Sequence, residues 1–412
     1  DVRIGALEYA DRSEGAEVGL RVLVSQRQAI VSSSDISDTT LELMVERAIA
    51  MAKDAPPDKY AGLASVNQLA KHRDLSELEI CDPASDPSPI KLQEKAEIAE
   101  SSALEVGGVS QVSGASASYG KYSVFMAASN GFTANYDRSS NSVSCVAIAG
   151  EGLNMERDYD ADTRVYQSDL RPSDEIGRTA GLRAVERVNP RRPATGSYPV
   201  IYDERVSSGL VGHFLSAVNG AAITRGSSWL KDSLGKQVLP STCKLVENPH
   251  RLRAGASRLF DSEGLATKKR EILSKGVLNG WTLDLASARK LRMRPTANAS
   301  RNVSSNPSPT NWNIELSSPE DYCDNLLSEM GNGLLVTSLI GSTINPNTGD
   351  YSRGVSGFWV ENGQICYPVS EITIAGNLRD MLKNIILGND AQRHLSYVVP
   401  SILVGEMTLA GS

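Results

Sequence analysis

A chain of 412 residues with 40% hydrophobic and 22% charged residues has the composition of a folded globular protein and the length for two or three ordinary domains. Its net charge of −7 lacks the clustered basic excess that neutralises phosphates, which argues against direct nucleic-acid binding. The five cysteines never form a C-x-x-C pair, so neither a disulfide framework nor a zinc knuckle is indicated. The apolar run Gly333 to Gly341 falls far short of the roughly 20 residues that cross a bilayer, and no basic-then-apolar leader opens the sequence; no membrane association is expected, and the location is expected to be cytoplasmic.

In chain order, the alternating runs Ala16 to Val24 and Gln28 to Ser32 predict a strand pair. From Thr40 to Lys53, Leu41, Met44, Val45, Ala48, Ile49 and Ala52 share one helical face, with Asp38 as cap and Pro56-Pro57 as stop. Pro89 after Ser88 starts a second helix to about Glu105. Strands are predicted over Lys121 to Ala128, Phe132 to Asp137 and Ser140 to Ala149, the first two joined by a tight Asn130-Gly131 turn. A helix from Ser173 to Val188 carries acids in its first turn and arginines near its end, which suits the helix dipole.

The proline- and glycine-rich segment Pro190 to Gly196 then marks a domain boundary, giving residues 1–190 and 191–412. Beyond it come a strand, Tyr198 to Tyr202, and a helix-like apolar face over Val206 to Val218 with Gly209, Gly212 and His213 among its residues. The rest is rich in Gly, Ser, Asn and short apolar runs and predicts mainly β structure. Within it, helices are expected over Ser318 to Met330 and about Asn377 to Leu387, with a strand from Leu334 to Ile340. The Asn362-Gly363 pair joins Gly357 to Glu361 and Gln364 to Tyr367 as a hairpin. The fold class is therefore α+β: a mixed α/β N-terminal domain followed by a mainly antiparallel β C-terminal domain with embedded helices.

Few residues offer chemistry. None of the four histidines, at 72, 213, 250 and 394, has a second at the spacing that places two ligands on one helical face. G-x-S-x-G, G-x-G-x-x-G and G-x-x-x-x-G-K-[ST] are absent, which removes the nucleophile-elbow, dinucleotide and P-loop readings. The segment Ile340 to Gly357 concentrates glycines and polar side chains just before the hairpin. It reads either as a bare connection or as a long polar loop that holds an extended peptide through backbone donors, Asn345, Asp350 and Arg353, the last through its planar guanidinium. A buried Asp350–Arg353 ion pair serves equally well as an account of those two residues.

At this segment the sequence resembles the TldD/PmbA family, through Asn345-Pro-Asn-Thr-Gly-Asp350-Tyr-Ser-Arg353-Gly, Gly357-Phe-Trp-Val-Glu-Asn-Gly363, Tyr367-Pro-Val and Ile372-Thr-Ile-Ala-Gly-Asn-Leu378. Further matches at Ser129-Asn-Gly131, Gly152 with Asp158 and Tyr159, Gly226-Ser-Ser228 and Phe260-Asp-Ser-Glu-Gly264 extend the likeness over essentially the whole chain. The resemblance implies a heterodimer in which a TldD-like subunit carries an HExxxH zinc site and a TldE-like subunit completes a chamber for unfolded peptides. Peptide-precursor maturation, antitoxin degradation and modulation of DNA gyrase are the associated roles. Aligned through Gly226-Ser-Ser228, the motif's first histidine, glutamate and second histidine fall on Val211, Gly212 and Ser216. Valine and glycine offer zinc no side-chain donor.

The chain is accordingly expected to be the TldE/PmbA-like subunit, without metal or other cofactor of its own, zinc being expected in the partner. Its expected partners are a TldD-like catalytic subunit and an unfolded peptide, and isolated chains could pair as homodimers. The alternatives are an independently active homodimeric peptidase, one form of which recruits metal through His213 and acidic neighbours, or a non-proteolytic regulator that binds gyrase.

Overall fold

Alternation, capping residues and turn chemistry account for most of the N-terminal elements in the computed structural model, which describes residues 1–84, 86–319 and 321–411. Two short strands, β1 (Val2–Arg3) and β2 (Ala6–Leu7), precede the expected hairpin of β3 (Val18–Val24) and β4 (Arg27–Ser33). Its two-residue turn puts Ser25 and Gln26 at φ 46° and 62°, the twist that joins antiparallel strands without splaying them. Helix α1 (Asp38–Asp54) buries Met44, Ala48 and Ala52, but its N-cap is Ser37, and Asp38 sits in the first turn. In α2 (Pro89–Leu104) the Ser88 side chain accepts from the Lys91 amide, as its sequence suggests.

The three strands expected between 121 and 149 are two long ones, β5 (Val109–Ala127) and β6 (Thr133–Ala149), followed by an unanticipated β7 (Glu156–Arg164). Nor is the turn a tight Asn-Gly pair. Residues 128–132 form a wider loop in which only Gly131 has positive φ, while Asn130 accepts from the Phe132 amide and donates to the Ala64 carbonyl. These strands form a sheet in the order β2-β1-β5-β6-β7, covered by α2 and α3 (Ser173–Glu186). The two helices touch backbone to backbone: a Cβ on Gly177 would lie 1.9 Å from the Ala99 carbonyl oxygen.

After β8 (Gly196–Tyr202) come α4 (Glu204–Ala217), α5 (Gly220–Arg225), β9 (Lys244–Glu247), β10 (Arg270–Ser274), β11 (Val277–Leu278) and α6 (Leu285–Leu291). The short strands β12 (Ala299–Ser300) and β13 (Ser308–Pro309) lead to β14 (Ile314–Ser317). The helix expected over Ser318 to Met330 is only α7 (Leu326–Met330), capped by Asn325. Residue 320 lies outside the described residues, and at 322–323 the chain instead bonds alongside Leu387. Three long strands follow, β15 (Gly333–Ile344), β16 (Asp350–Glu361) and β17 (Gln364–Asn377). The Asn362-Gly363 turn has φ 51° and 74° and closes the expected hairpin, longer than its sequence signal. Helix α8 (Leu378–Lys383) stops short of Leu387 because β18 (Ile386–Leu387) pairs with β20 (Ile402–Ala410), after the two-residue β19 (Tyr397–Val398).

The main C-terminal sheet runs β17-β16-β15-β8-β20-β18, and a β17–β20 pairing closes its five long strands into a ring. Apart from the parallel β8–β15 contact its pairings are antiparallel. One face of this sheet, α4 and the smaller sheet β11-β10-β9-β14-β19 share a single apolar core.

Charge stitches the two halves together. Asp158, Asp160 and Asp162 alternate along β7 and are 6%, 5% and 3% exposed, so each needs a counter-ion. Asp160 has Arg171 and Arg183 at 2.7 and 2.8 Å and Asp162 has Arg164 at 2.9 Å, whereas Asp158 meets Arg205 of α4 at 3.4 Å; the His394 imidazole, held below its usual range by burial, lies 3.4 Å from Asp162. Arg138 of β6 adds bonds to the carbonyls of Gly255 and Ser257.

Candidate functional site

Helix α4 presents two different faces to its surroundings. Asp203 caps it by accepting from the Arg205 amide at 3.1 Å, and Leu210, Val211, Phe214 and Leu215 turn into the core. Gly209, Gly212, His213 and Ser216 fall at the i, i+3, i+4, i+7 spacing of another face. Space is open there: a Cβ on Gly212 would meet nothing within 4 Å, and Ser216 is exposed with its hydroxyl donating to the Gly212 carbonyl at 2.9 Å.

Opposite His213 stands β16. The Tyr351 ring packs edge-on to the imidazole, centroids 5.9 Å apart, and Arg353, two residues on, shares that face of the strand. Three polar atoms here are buried without a hydrogen-bond partner: His213 Nε2, Arg353 Nε and the Tyr351 hydroxyl. Buried polar groups are ordinarily satisfied, so such a cluster marks a place where water or a ligand group completes the bonding. Burial, and then the Arg353 charge, holds His213 below its usual range, leaving it neutral at pH 7. Burial likewise raises the Tyr202 and Tyr351 phenols, which are electrostatic neighbours of Arg353. The cluster thus holds one guanidinium, the Tyr351 phenol and one neutral imidazole, a set suited to bonding carbonyl or carboxylate oxygens, while the Tyr202 hydroxyl donates to Met407 Sδ at 3.6 Å within the core.

It does not suit zinc. Val211 is 4% exposed, inside the core and off the face that holds Gly212 and Ser216, and glycine supplies no donor. His213 stands beside a cation rather than a carboxylate, and among the described residues no three His, Cys, Asp or Glu side chains converge as a metal-binding set. Among the described residues, no carboxylate is an electrostatic neighbour of His213 that metal recruitment there could use.

The polar segment is far more ordered than a long loop. Strands β15 and β16 take up most of it, leaving residues 345–349 as the connection. Asn345 Oδ1 accepts from the Asn347 and Thr348 amides at 3.0 and 3.4 Å. Asp350 accepts from the Thr348 hydroxyl at 2.6 Å and from Asn377 at 3.0 Å, bonds that lower its pKa in that order. Asp350 and Arg353 occupy alternate faces of β16, and no ion pair joins them among the described residues. Of the three proposed peptide-facing residues, then, Arg353 lies beside His213 between β16 and α4 while Asn345 and Asp350 brace a turn. The phenol of Tyr351 was missed from sequence, although the Tyr351-x-Arg353 spacing on a strand was the available signal.

The fold defines the class in structural terms, an α+β chain with a closed C-terminal sheet and a cluster of unpartnered polar atoms between α4 and β16. Models of the PmbA/TldA metallopeptidases match it in succession, domain 1 over residues 1–52, the central domain over 82–188 and the C-terminal domain over 195–411. The chain belongs to the PmbA/TldD metallopeptidase family. It is 38% identical over 413 aligned residues to the metalloprotease PmbA of Escherichia coli O157:H7, covering 99% of this chain and 89% of that one. A Bacteroides thetaiotaomicron structure that bears the label of a DNA gyrase modulator superposes with TM-score 0.86 at 28% identity, covering 96% and 88% of the two chains. TldE from Thermococcus kodakarensis shares the fold, with TM-score 0.83 at 20% identity over 100% of this chain and 93% of its own.

Proposed function

We propose that this chain is the non-metal-binding, TldE/PmbA-like subunit of a cytoplasmic two-subunit peptidase, whose zinc is held by a TldD-like partner and whose substrates are unfolded peptides. The donor set of α4 carries the proposal. Where the family resemblance puts HExxxH, this helix has a core valine, a glycine and a serine bonded to its own backbone. Zinc hydrolysis needs nitrogen, sulfur or carboxylate ligands and a base for the water proton, and these three positions supply none. Support for a peptide-holding role comes from the open Gly212 face and from the unpartnered polar atoms of His213, Tyr351 and Arg353. A strand passing there could bond its carbonyls to Arg353 and Tyr351.

Reconstitution tests the reading. Purified alone, the chain is expected to leave an unfolded peptide intact; mixed with a TldD-like subunit, it should raise peptide cleavage above that of the partner alone. Cleavage by the chain alone that a chelator abolishes would instead establish an independently active peptidase. Recovery of gyrase but no TldD-like subunit in a pull-down would favour the regulator.

A further inference from the structure

A cavity of about 560 Å³ lies away from α4, between β3, the β5–β6 turn and the 262–263 loop. Two sequence motifs that the zinc argument leaves unused meet at its wall. Phe132, following Ser129-Asn-Gly131, packs edge-on to Phe260 at 5.3 Å, at the start of Phe260-Asp-Ser-Glu-Gly264. Gly264, at φ 83°, comes so near that a Cβ would lie 2.8 Å from the Phe132 ring. Asp261 fixes the loop by accepting from the Glu263, Leu265 and Ala299 amides at 2.9, 3.0 and 3.0 Å. A third wall, residues 60–63, is clamped by Arg289 through the Tyr60 and Leu63 carbonyls, each at 2.8 Å. The cavity is a built, braced feature.

Its polar groups leave positive charge unmatched. Arg21 spends Nε and Nη2 on Gln28 Oε1 at 3.0 and 2.7 Å, and Arg301 reaches the Gly19 carbonyl with one nitrogen at 3.4 Å. Among the described residues no carboxylate forms an ion pair with either guanidinium, so each keeps donors for something else. Glu263 does not neutralise them. Burial, and next the neighbouring Asp261, push it up to about 8, so at neutral pH it is mostly an uncharged acid, with Oε2 accepting from the Leu285 amide at 2.8 Å. Burial lowers both guanidiniums, and at Arg21 the nearby Glu263 and Asp284 oppose that fall without cancelling it. Beside them the lining mixes apolar side chains, among them Leu63 and Phe125, which is 78% exposed at the hairpin end, with the polar Ser129, Asn130 and Ser262.

We propose that this cavity binds the carboxylate end of an apolar ligand, the C-terminal residue of a peptide, with Arg21 and Arg301 gripping the carboxylate and Leu63 and Phe125 covering the side chain. Paired guanidiniums match a carboxylate's two oxygens, and a pocket of this volume with apolar side chains beside polar ones has room for a residue-sized ligand. That the ligand is a peptide rests on the function proposed above; the recognition of an apolar acid does not.

Calorimetric titration of the intact chain with N-acetyl-Leu-Phe as free acid and as amide tests this. The acid should bind at least about tenfold more tightly than the amide. R301Q and R21Q should each bring the acid toward the amide's affinity without changing the amide, while F125A, at an exposed position where folding is not at stake, should weaken both and keep their ratio. Equal affinity for acid and amide, acid binding untouched by R301Q, or displacement of the acid by an equal concentration of inorganic phosphate would overturn the proposal. Because no partner or zinc enters this titration, its failure leaves the subunit reading standing, and failure of the subunit reading leaves the titration valid.

Discussion

Alanine at Gly212 should make the protein more stable and its complex less active. The residue sits inside α4, and its missing methyl would meet no atom within 4 Å, so only the helix-forming gain of alanine over glycine remains, about 0.4–1 kcal/mol. At roughly 2–4 °C per kcal/mol for a domain of this size, the melting temperature should rise by about 1–4 °C. The same substitution at Gly177 should act in reverse. There the methyl would lie 1.9 Å from the Ala99 carbonyl oxygen, and the parting of α2 from α3 that this forces costs about 1–3 kcal/mol or more, outweighing the same helix gain. Thermal melts of both variants, with peptide turnover of the complex reconstituted from G212A, make up the assay. A drop in melting temperature for G212A, or a rise for G177A, would refute the packing argument; a stabilised G212A complex with unchanged turnover would refute the placing of substrate on that face of α4.

Asp160→Asn should destabilise by about 3 kcal/mol in urea denaturation, because it strips the charge shared by Arg171 and Arg183 from a buried position. Glu263 keeps its proton in the fold up to about 8, while the unfolded chain loses it near 4.3; its contribution is therefore full below that lower value and is lost as pH rises toward 8, so E263Q should gain on the parent in melts at pH 8 relative to pH 5. His213 has the opposite sense: burial lowers its pKa, so stability falls once pH drops below the unfolded value of about 6.5, and H213Q should flatten that decline. Thiol titration should find Cys366 the fastest to react, since Cys145 and Cys243 are buried, with thiols pushed up to about 12 and about 11.

Where local patterning and tertiary demand agreed, the sequence was a sound guide. Ser88-Pro89 and the Asn362-Gly363 turn behaved as their chemistry requires, and α1 buries Met44, Ala48 and Ala52 of its expected face while Val45 stays exposed. It misled where buried polar residues are satisfied by distant parts of the chain. Strand β6 was split between Asp137 and Ser140, yet the skipped Arg138 and Ser139 are buried, bonded to Gly255, Ser257, Asp82 and Val165. β7 was hidden for the same reason, its inward positions being aspartates rather than aliphatics. At the site, Arg353 and the helix bearing His213 were legible, but their meeting depends on how β16 crosses α4, which no local spacing encodes. Asn345 and Asp350 drew attention for their polarity, and that polarity serves the turn they build.

Zinc stoichiometry tests the central claim most directly. Elemental analysis of this chain alone, of a TldD-like subunit alone and of their purified complex should give no zinc in the first and one per heterodimer in the last, with G212A unchanged. Stoichiometric zinc in the isolated chain, or two per heterodimer, would contradict the account and require a ligand set that Val211, Gly212 and Ser216 do not provide.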